Sequence, residues 1–368
     1  MDLLTNVIKD YPWGSRTAIA ELTGRPASGP EAEMWLGAHP AAPSRLTRDG
    51  SETTLADAVA ADPAGTLGAA VAGRFGARLP YLMKLIAVDA PLSLQVHPDE
   101  GQAADGHARG DANYTDPWHK PELVCALTPF TGLAGFRPPE QSAMLVERLH
   151  VDALRPVVAA LRDGDVLGAL RVLLEWPGSR RELVESVVWA ASAVHTPDYA
   201  LVVRLARRYP EDPAVLAPLL MHRHTLAPGE ALFLGAGVLH CYLDGFGVEI
   251  MACSDNVLRA GLTGKRIDVE ELLRITDAAA QPLRVEPVEG AYVAPVPEFL
   301  LRRIAPGATA ALPGGLPRIV VCTEGVVSVG TADAEVKLRP GESVFTAASE
   351  GPVEIGGDGV AFCAEPHL

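Results

Sequence analysis

The sequence predicts a mainly β fold that is interrupted by a block of helices and followed by a second β region. Three observations support this prediction. Short apolar runs bounded by proline, glycine and aspartate fill residues 1–137, and helix-start signals recur between residues 138 and 221. The motif Pro-Gly-Glu followed by an apolar run occurs at 228–230 and again at 340–342. Because β-rich segments flank the helical block, we expect the helices to form an insertion.

The first β region contains two strand-like runs and one helix signal. Thr54 precedes a pattern rich in alanine and leucine, which predicts a helix over residues 54–73. Pro63 and Gly65 are expected to split that helix, because both residues interrupt helical patterns. The predicted strands are YLMKLIAV at 81–88 and SLQV at 93–96.

The helical block carries standard helix-start residues. Ser179 is followed three residues later by a glutamate, which is the capping-box pattern, and Thr196 followed by Pro197 is an N-cap and N1 pair. Breaks containing proline occur in EWPGS and YPEDP. We expect four to six short helices, with the charged residues of the 203–208 segment forming a solvated face.

The repeated Pro-Gly-Glu segment predicts the architecture of the β regions. In each copy a turn, an apolar run, a bend of small residues and a second apolar run follow one another, as in double-stranded β-helix (cupin) barrels, a form of jelly roll. Chance recurrence of a common turn is the alternative. Only the first copy has a histidine, His240, after its bend, so a metal site is expected in the first barrel alone. The predicted units are a cupin domain of residues 1–137 and 222–280, a helical insertion of residues 138–221, and a cupin-like C-terminal β domain of residues 281–368.

Composition excludes several classes of protein. Lysine and arginine number 31 and aspartate and glutamate 46, so the formal net charge is −15, and a global basic footprint for nucleic acid or anionic lipid is absent. No apolar run approaches the roughly 18–20 residues that a membrane helix needs. The first residues, MDLLTNVIKDYPWGS, lack the apolar stretch of a signal peptide. Five cysteines without a CxxC pair predict reduced thiols and a cytoplasmic protein.

The clearest chemical pattern is Gln95-Val96-His97 at the end of a predicted strand. Side chains at positions i and i+2 of a strand point to the same face, so Gln95 and His97 are expected to face a cleft. Leu94 and Val96 would then face the core. A surface strand that happens to carry two polar residues is the alternative.

Two further residues complete a candidate metal site with Gln95 and His97. Glu122 leads into an apolar strand, and His240 follows the small-residue bend. Two imidazoles, a carboxylate and an amide oxygen make a mixed nitrogen and oxygen set, which suits a catalytic divalent metal, with zinc as the first choice. The alternative for Glu122 is a surface salt bridge with the neighbouring Lys120 and His119.

A second candidate cluster is basic. Arg259 lies among small residues in SDNVLRAGLTGK and could stabilise negative charge on a substrate oxygen, while Lys265 could bind phosphate as a point charge. Lys84 lies in the middle of an apolar strand, where a lysine is costly unless it faces a cleft. With Ser93 it could line the same pocket. For the Ser-Asp-Asn part of the loop, a simple Asx turn is the alternative.

These residues lie in segments that resemble the type I mannose-6-phosphate isomerases (phosphomannose isomerases). The resemblance implies one Zn²⁺ ion per chain, held by Gln95, His97, Glu122 and His240, and an active-site role for Arg259. It also implies a catalytic cupin interrupted by a helical domain and followed by a second cupin-like barrel. The matching segments are YPWGS (11–15), AEMWLGAHP (32–40), PYLMKLIAVDAPLSLQVHPD (80–99), HKPELVCALTPFTGLAGFRP (119–138), LFLGAGVLHCYLDG (232–245) and ACSDNVLRAGLTGK (252–265).

The function implied by the resemblance is the reversible interconversion of D-mannose 6-phosphate and D-fructose 6-phosphate through an enediol(ate). This reaction moves one proton between carbons and another between oxygens, so it needs acid–base groups. The residues leave the base open among Asp255, Lys120, Glu122, the surroundings of His97 and a metal-bound water. Phosphate would bind to cations such as Lys84 or Lys265, with help from the Ser93 hydroxyl.

Two other functions are weighed against this one. An Fe²⁺-dependent cupin oxygenase would use two histidines and a carboxylate with open sites, but Gln95 as a fourth ligand and the cationic residues argue against it. A non-catalytic sugar-phosphate-binding protein, with the metal as a structural clip, is the second alternative. The expected partner is a small phosphosugar, without nucleic acid or membrane, and the expected state is a monomer or a weak homo-oligomer.

Overall fold

The first β region confirms the two strands predicted from its sequence, but besides the predicted helix it contains two that the sequence analysis missed, at Ala18–Leu22 and Glu100–Ala108. A computed structural model of the chain describes residues 1–48 and 50–368. Strand β6 spans the whole of YLMKLIAV, and strand β7 follows it, as predicted. In chain order the elements up to residue 137 are β1 (Asp2–Leu4), β2 (Val7–Lys9), α1 (Ala18–Leu22), β3 (Glu33–Leu36), β4 (Arg45–Arg48), β5 (Ser51–Thr54), α2 (Leu55–Ala61), α3 (Pro63–Leu67), α4 (Ala69–Phe75), β6 (Tyr81–Val88), β7 (Leu94–Val96), α5 (Glu100–Ala108), β8 (Glu122–Ala126) and β9 (Phe130–Phe136).

The helix predicted over residues 54–73 is present as the three pieces α2, α3 and α4. Thr54 is the N-cap, and its hydroxyl accepts a hydrogen bond from the Asp57 N–H at 3.1 Å. The first break falls before Pro63, as predicted. The second falls at Gly68, whose φ of 84° an L side chain rarely adopts. The prediction that Gly65 breaks the helix is wrong, because Gly65 lies inside α3.

The helical block contains six α-helices, within the predicted range. The Ser179 hydroxyl accepts from the N–H of Glu182 at 3.2 Å and caps its helix, and Pro197 opens the next one. Short 3-10 turns lie at Asp152–Leu154 and Pro213–Leu216. No helix in the described part of the chain is long and apolar enough to cross a membrane. The helices are α6 (Pro139–Glu147), α7 (Arg155–Arg162), α8 (Val166–Leu174), α9 (Arg180–Ser192), α10 (Pro197–Arg208) and α11 (Ala217–Leu220).

Strands resume directly after α11 and continue to the C-terminal end, with one helix among them. That helix, α12, begins after Asp268, whose carboxylate accepts from the Glu271 N–H at 3.2 Å. The elements are β10 (Met221–Leu226), β11 (Ala231–Leu234), β12 (His240–Ala252), β13 (Leu258–Gly261), α12 (Val269–Ile275), β14 (Leu283–Val285), β15 (Ala291–Tyr292), β16 (Leu300–Ile304), β17 (Thr309–Leu312), β18 (Arg318–Glu324), β19 (Val327–Gly330), β20 (Glu335–Leu338), β21 (Ser343–Thr346), β22 (Val353–Gly357) and β23 (Val360–Glu365).

In the part of the chain that the structure describes, the strands assemble into one large sheet and three smaller ones, all with antiparallel pairing. The large sheet runs β14-β11-β8-β12-β6-β3-β2, with β7, β9, β10 and β13 attached beside this path. The C-terminal region forms the sheets β1-β21-β18-β23-β16-β15 and β17-β22-β19-β20, while β4 and β5 form a hairpin. Strand β1 thus pairs inside the C-terminal region, and β14 pairs with β11 of the large sheet. The three-unit division of the chain stays a prediction, and the first β unit and the C-terminal unit each contribute a strand to a sheet of the other.

Two apolar cores, one on each side of the large sheet, position the site. Leu94 and Val96 lie in the core that the inserted helices share with the large sheet, as their alternation predicts. Leu123 on the other side of the large sheet packs in one core with Ile319 and Phe345 of the C-terminal region. Gln95 and His97 therefore face away from the helical core, toward the interior of the first barrel.

The two Pro-Gly-Glu turns have the same conformation and the same hydrogen bonds. Gly229 and Gly341 have φ values of 88° and 85°, which favour glycine. The Glu230 carboxylate accepts from the Ala227 N–H, and the Glu342 carboxylate accepts from the Arg339 N–H, both at 2.8 Å. The repeat read from the sequence is therefore a repeat of structure.

Candidate active site

The predicted site residues come together around one cavity of about 650 Å³. Its walls come from β6, β7, β8 and β12 of the large sheet, the loop around β13 and the end of α10. His97 and His240 are not in the lining but contact Glu122, which is. The structure thus gathers all ten predicted residues, and their roles stay predictions. Those that line the cavity are Lys84, Ser93, Gln95, Lys120, Glu122, Asp255, Arg259 and Lys265.

The centre of the site is a buried group of two histidines and one carboxylate. His97, Glu122 and His240 each offer a donor atom, and these atoms lie within 4.8 Å of one another. The Nε2 of His97 is 3.3 Å from one oxygen of Glu122, and the Nε2 of His240 is 3.0 Å from the other. Each of the three residues is only 1% exposed. A small cation would have ligands from three directions here.

The backbone fixes which ring nitrogen of each histidine points at the centre. The Nδ1 of His97 lies 2.9 Å from the Asn256 carbonyl, and the Nδ1 of His240 lies 2.8 Å from the Val238 carbonyl. Because a carbonyl oxygen only accepts, each Nδ1 carries the proton. Each Nε2 then turns a lone pair toward a carboxylate oxygen, which is repulsive unless a cation lies between them.

A proton on His97 does not supply that positive charge near neutral pH. Burial, with Lys120 adding to the effect, lowers the pKa of His97 to about 4. The Nε2 of His97 is buried and has no hydrogen-bond partner within residues 1–48 and 50–368. A buried acceptor without a donor is costly, so this atom itself indicates a missing ligand. The residues present therefore fit a bound metal ion.

Gln95 joins the same centre from β7. Its amide nitrogen lies 3.4 Å from the Nε2 of His240, and its amide oxygen lies 3.5 Å from the Ser93 hydroxyl. The two ends of an amide have nearly the same shape, and a half-turn of the group exchanges them. That half-turn would direct the oxygen at the metal position and the nitrogen at Ser93.

Strand register explains why these distant residues meet. Gln95 of β7 lies directly opposite His240 of β12, while Glu122 of β8 pairs with Met251 at the far end of β12. His97 follows the end of β7, where its carbonyl accepts from the Gly237 N–H at 3.0 Å. Gly237 has a φ of 76°, so the small-residue bend before His240 depends on glycine.

The Ser-Asp-Asn segment is a brace between loops rather than only an Asx turn. The Asn256 amide donates to the carbonyls of Asp116 and Trp118 at 2.7 and 2.8 Å and accepts from the Thr115 N–H at 2.8 Å. Its own carbonyl orients His97, as described above. One asparagine therefore ties the loop that precedes Glu122 to the histidine that faces it.

Asp255 lies in the cavity wall and is oriented by His39, which was not among the predicted site residues. His39 is buried, and its Nδ1 accepts from the Ala41 N–H at 3.2 Å. Its Nε2 therefore carries a proton and faces the Asp255 carboxylate at 3.3 Å. This hydrogen bond lowers the pKa of Asp255 below its usual value, despite partial burial.

The two buried lysines of the cavity, Lys84 and Lys120, differ in how their surroundings shift the pKa. The Lys84 ammonium pairs with Glu249 at 2.9 Å and with Glu33 at 3.4 Å. Burial alone would lower the pKa of Lys84, but these carboxylates raise it above its usual value. Lys120 lies 4.0 Å from a Glu122 oxygen, and burial lowers its pKa, with Lys84 adding to the shift and Glu122 opposing it. Lys84 is a fixed cation, whereas Lys120 is better suited to exchanging a proton.

The sequence analysis missed the acidic residues that hold Lys84. Glu249 lies inside a buried strand and faces Lys84 in the β12–β6 register, and Glu33 comes from β3. The sequence analysis also missed Tyr242, whose hydroxyl donates to Glu122 at 3.3 Å. A signal was available for Glu249, because a charge within the apolar run GVEIM is as unusual as the lysine in YLMKLIAV.

Cations from two parts of the chain also line the cavity. Arg259 lies in β13 and Lys265 in the loop that follows it, and Arg208 comes from the last turn of α10. Half-burial lowers the pKa of Arg259, and no charged neighbour contributes to that shift. The expectation that the charged residues at 203–208 form only a solvated face is wrong for Arg208, which is exposed but borders the cavity.

The chain is similar to known proteins over nearly its whole length. Residues 1–139 match the family described as phosphomannose isomerase type I, catalytic domain. The chain is 38% identical to the mannose-6-phosphate isomerase of Escherichia coli (strain K12), over 98% of each chain. It is 33% identical to that of Bos taurus, over 94% of this chain and 93% of the relative. A crystal structure of zinc-bound mannose 6-phosphate isomerase superposes with a TM-score of 0.92 at 34% identity, covering 100% of this chain and 99% of that one.

Proposed function

The chain belongs to the type I phosphomannose isomerase family, and we propose that it interconverts D-mannose 6-phosphate and D-fructose 6-phosphate. The observation that supports this function most strongly is that the imidazole lone pairs of His97 and His240 converge on the Glu122 carboxylate. This group lies at the wall of a cavity that arginine and lysine side chains also line. A Lewis-acid centre beside an anion-binding surface is what an isomerase of phosphorylated sugars requires.

The metal that suits this donor set best is zinc, one ion per chain. Zinc takes imidazole nitrogen and carboxylate oxygen as ligands, and in catalytic sites it keeps a position open. We propose that His97, Glu122 and His240 hold it, with the Gln95 amide oxygen as the fourth ligand. When bound, zinc supplies a Lewis acid next to the two substrate oxygens between which the carbonyl moves.

The reaction moves a carbonyl from C1 to C2 without net oxidation. One proton leaves C2 and one arrives at C1, while a proton passes from the oxygen on C2 to the oxygen on C1, through an enediol(ate). Arg259 lines the cavity as a half-buried guanidinium and is proposed to stabilise the negative charge that develops on these oxygens.

We propose Lys120 and Asp255 as the general acid–base residues. A lysine whose pKa is lowered by burial can give a proton to a substrate oxygen and take it back. Asp255 is held ionised by His39, so at neutral pH it is an acceptor. The ion pairs of Lys84 with Glu249 and Glu33 limit its freedom to bind phosphate, and its predicted phosphate role stays a prediction alongside those of Ser93 and Lys265.

We propose that the substrate is a free phosphosugar in the cytoplasm and that the protein acts as a monomer or a weak homo-oligomer. The strongly acidic chain, at −15, argues against a polyanionic macromolecule as the partner. The helical insertion and the C-terminal β domain keep their predicted boundaries in this proposal.

A coupled assay with purified, zinc-loaded protein tests the function. Turnover of mannose 6-phosphate that disappears on chelation and returns with zinc is the expected result. Binding of the phosphosugar without any turnover would contradict the isomerase function and would favour a sugar-phosphate-binding protein.

A further inference from the structure

The end of α10 is fastened to the wall of the substrate cavity. Tyr209, the first residue after the helix, lines the cavity and donates its hydroxyl to the Pro91 carbonyl at 3.3 Å. Pro91 lies in the segment between β6 and β7, close to Ser93. Arg208 therefore reaches the cavity from a position that the first barrel itself anchors.

A second set of contacts joins the same helical segment to the loop around β13. The Asp212 carboxylate accepts from the Leu262 N–H at 2.6 Å. Gly261 packs so closely on Ala214 that an added Cβ would lie 2.2 Å from the alanine Cβ. Arg259 lies in β13 and Lys265 in the loop that follows it. Because both parts are tied to the segment after α10, these two cations and Arg208 belong to one connected wall.

The cations of the cavity divide into two groups. Lys84 and Lys120 have carboxylates within 4.0 Å, so part of their charge is already balanced. Within residues 1–48 and 50–368, no carboxylate forms an ion pair with Arg208, Arg259 or Lys265. A dianionic phosphate gains most from cations that have no competing partner, and the arginine fork matches phosphate geometry.

We propose that Arg208 is a phosphate-binding residue, so that the helical insertion forms part of the phosphate end of the substrate site. Arg208 acts there with Lys265, whereas Arg259 in the same wall keeps its proposed role at the reacting oxygens. The inference rests on the proposed function, since it takes the phosphosugar as the ligand. It assigns the insertion a direct part in recognition: discrimination between phosphorylated and unphosphorylated sugars depends on it.

A neighbouring arginine provides a matched control. Arg207 lies on the same last turn of α10 but lines a groove between helices instead of the substrate cavity. The variants Arg208→Ala and Arg207→Ala remove the same charge from the same helix turn. Both side chains are exposed, so neither change is expected to prevent folding.

The experiment measures binding and turnover separately. D-glucitol 6-phosphate carries the phosphate but has no carbonyl and cannot isomerise, so its affinity is measured by titration calorimetry on zinc-loaded protein. Arg208→Ala should weaken this binding about tenfold, and raise KM for mannose 6-phosphate about as much, with kcat nearly unchanged. Arg207→Ala should stay within about twofold of wild type. Arg208→Lys should lie between.

Equal affinities for the Arg208→Ala and Arg207→Ala proteins would overturn the proposal, and so would a wild-type protein that does not bind D-glucitol 6-phosphate. A fall in kcat with unchanged KM would also overturn it, because it would make Arg208 a residue of the chemical step. If the wild type binds the probe but does not turn over mannose 6-phosphate, the proposed function fails while the comparison of the two variants still decides the role of Arg208.

Discussion

The two β regions use the same turn and the same strand pairing to build different centres. In the first region the Gly229 N–H bonds to the Ala126 carbonyl, and in the second the Gly341 N–H bonds to the Cys322 carbonyl, at 2.8 and 2.9 Å. Ala126 of β8 therefore corresponds to Cys322 of β18. Glu122 lies four residues before Ala126, and Arg318 lies four residues before Cys322. Arg318 therefore occupies the position that corresponds to Glu122.

At that position the second region contains an ion pair. Arg318 is 1% exposed, and its Nε donates to the Glu365 carboxylate at 2.6 Å, while an Nη donates to the Pro313 carbonyl at 2.7 Å. A guanidinium cannot be a metal ligand, because it has no lone pair to offer. The first residue of the corresponding strand is therefore a candidate metal ligand, Glu122, in the first region and a structural cation, Arg318, in the second.

The position of His240 differs as well. His240 lies opposite Ala134 of β9, which is eight residues after Ala126. Gly330 of β19 is eight residues after Cys322 and lies opposite Glu354, so Glu354 occupies the position that corresponds to His240. Glu354 is exposed, whereas His240 is buried. The comparison shows that the shared strands and turn fix where side chains are placed. The chemistry of each region depends on which few residues occupy those places.

The largest expected effect comes from removing a first-region histidine. His97→Ala or His240→Ala should lower kcat/KM by roughly a thousandfold or more, because the Lewis acid is lost together with its ligand. Steady-state assays with mannose 6-phosphate measure the effect, and Glu354→Ala is the matched control at the position that corresponds to His240. A His240→Ala enzyme with near-normal kcat/KM would remove that histidine from the centre.

The next effect belongs to Arg259, whose role at the reacting oxygens distinguishes the first region further. Arg259→Ala should lower kcat about 10²–10³-fold and raise KM far less, since the guanidinium acts on charge that develops in the transition state. Arg259→Lys should restore activity only in part, because lysine lacks the planar fork. A large rise in KM with kcat preserved would instead identify Arg259 as a phosphate anchor.

A smaller effect, on stability alone, is expected in the second region. Arg318→Met leaves the Glu365 carboxylate buried, and the free energy of unfolding should fall by about 3 kcal/mol, near the low end for broken buried pairs. The low end applies because Arg302 remains 3.8 Å from the same carboxylate. Urea unfolding monitored by circular dichroism measures the change. Loss of isomerase activity in the folded Arg318→Met protein would contradict the separation of the two regions.

The smallest effect concerns pH dependence and His39. The hydrogen bond from His39 stabilises the ionised form of Asp255, so His39→Ala should raise the pKa of Asp255. If Asp255 must be ionised for turnover, the acid limb of kcat/KM then moves to higher pH, with little change near neutrality. His39→Gln keeps a donor and should move the limb less. An acid limb that is identical in wild type and His39→Ala would contradict a role for this pair.

Local patterns in the sequence predict much of this molecule. The strand at 81–88, the caps at Thr54, Ser179 and Asp268, and the turn at 228–230 depend on residues that are neighbours in the chain. The residues of the candidate metal centre could also be named from the sequence, but a Gln-x-His strand is a weak signal alone, because a surface strand with two polar residues gives the same pattern. Their common location required the resemblance or the fold.

Cross-strand and cross-region pairs could not be read from the sequence. Lys84 meets Glu249, which is 165 positions away, only through the register of β6 and β12. Arg207 and Arg208 are neighbours on the last turn of α10, and they differ only in the direction of their side chains, which the packing of the helix decides. Strand β1 pairs with β21 at the opposite end of the chain, a contact that no local signal encodes.

The metal content of the purified protein tests the central claim most directly. Elemental analysis should give one zinc per chain in the wild type and in Arg318→Met, and none in His240→Ala, because within residues 1–48 and 50–368 the group of metal-ligating side chains that converge lies in the first region. The Arg318→Met protein controls for loss of stability in the second region. A second stoichiometric metal in the wild type that survives in His240→Ala would contradict the account, since it would place a metal centre outside His97, Glu122 and His240.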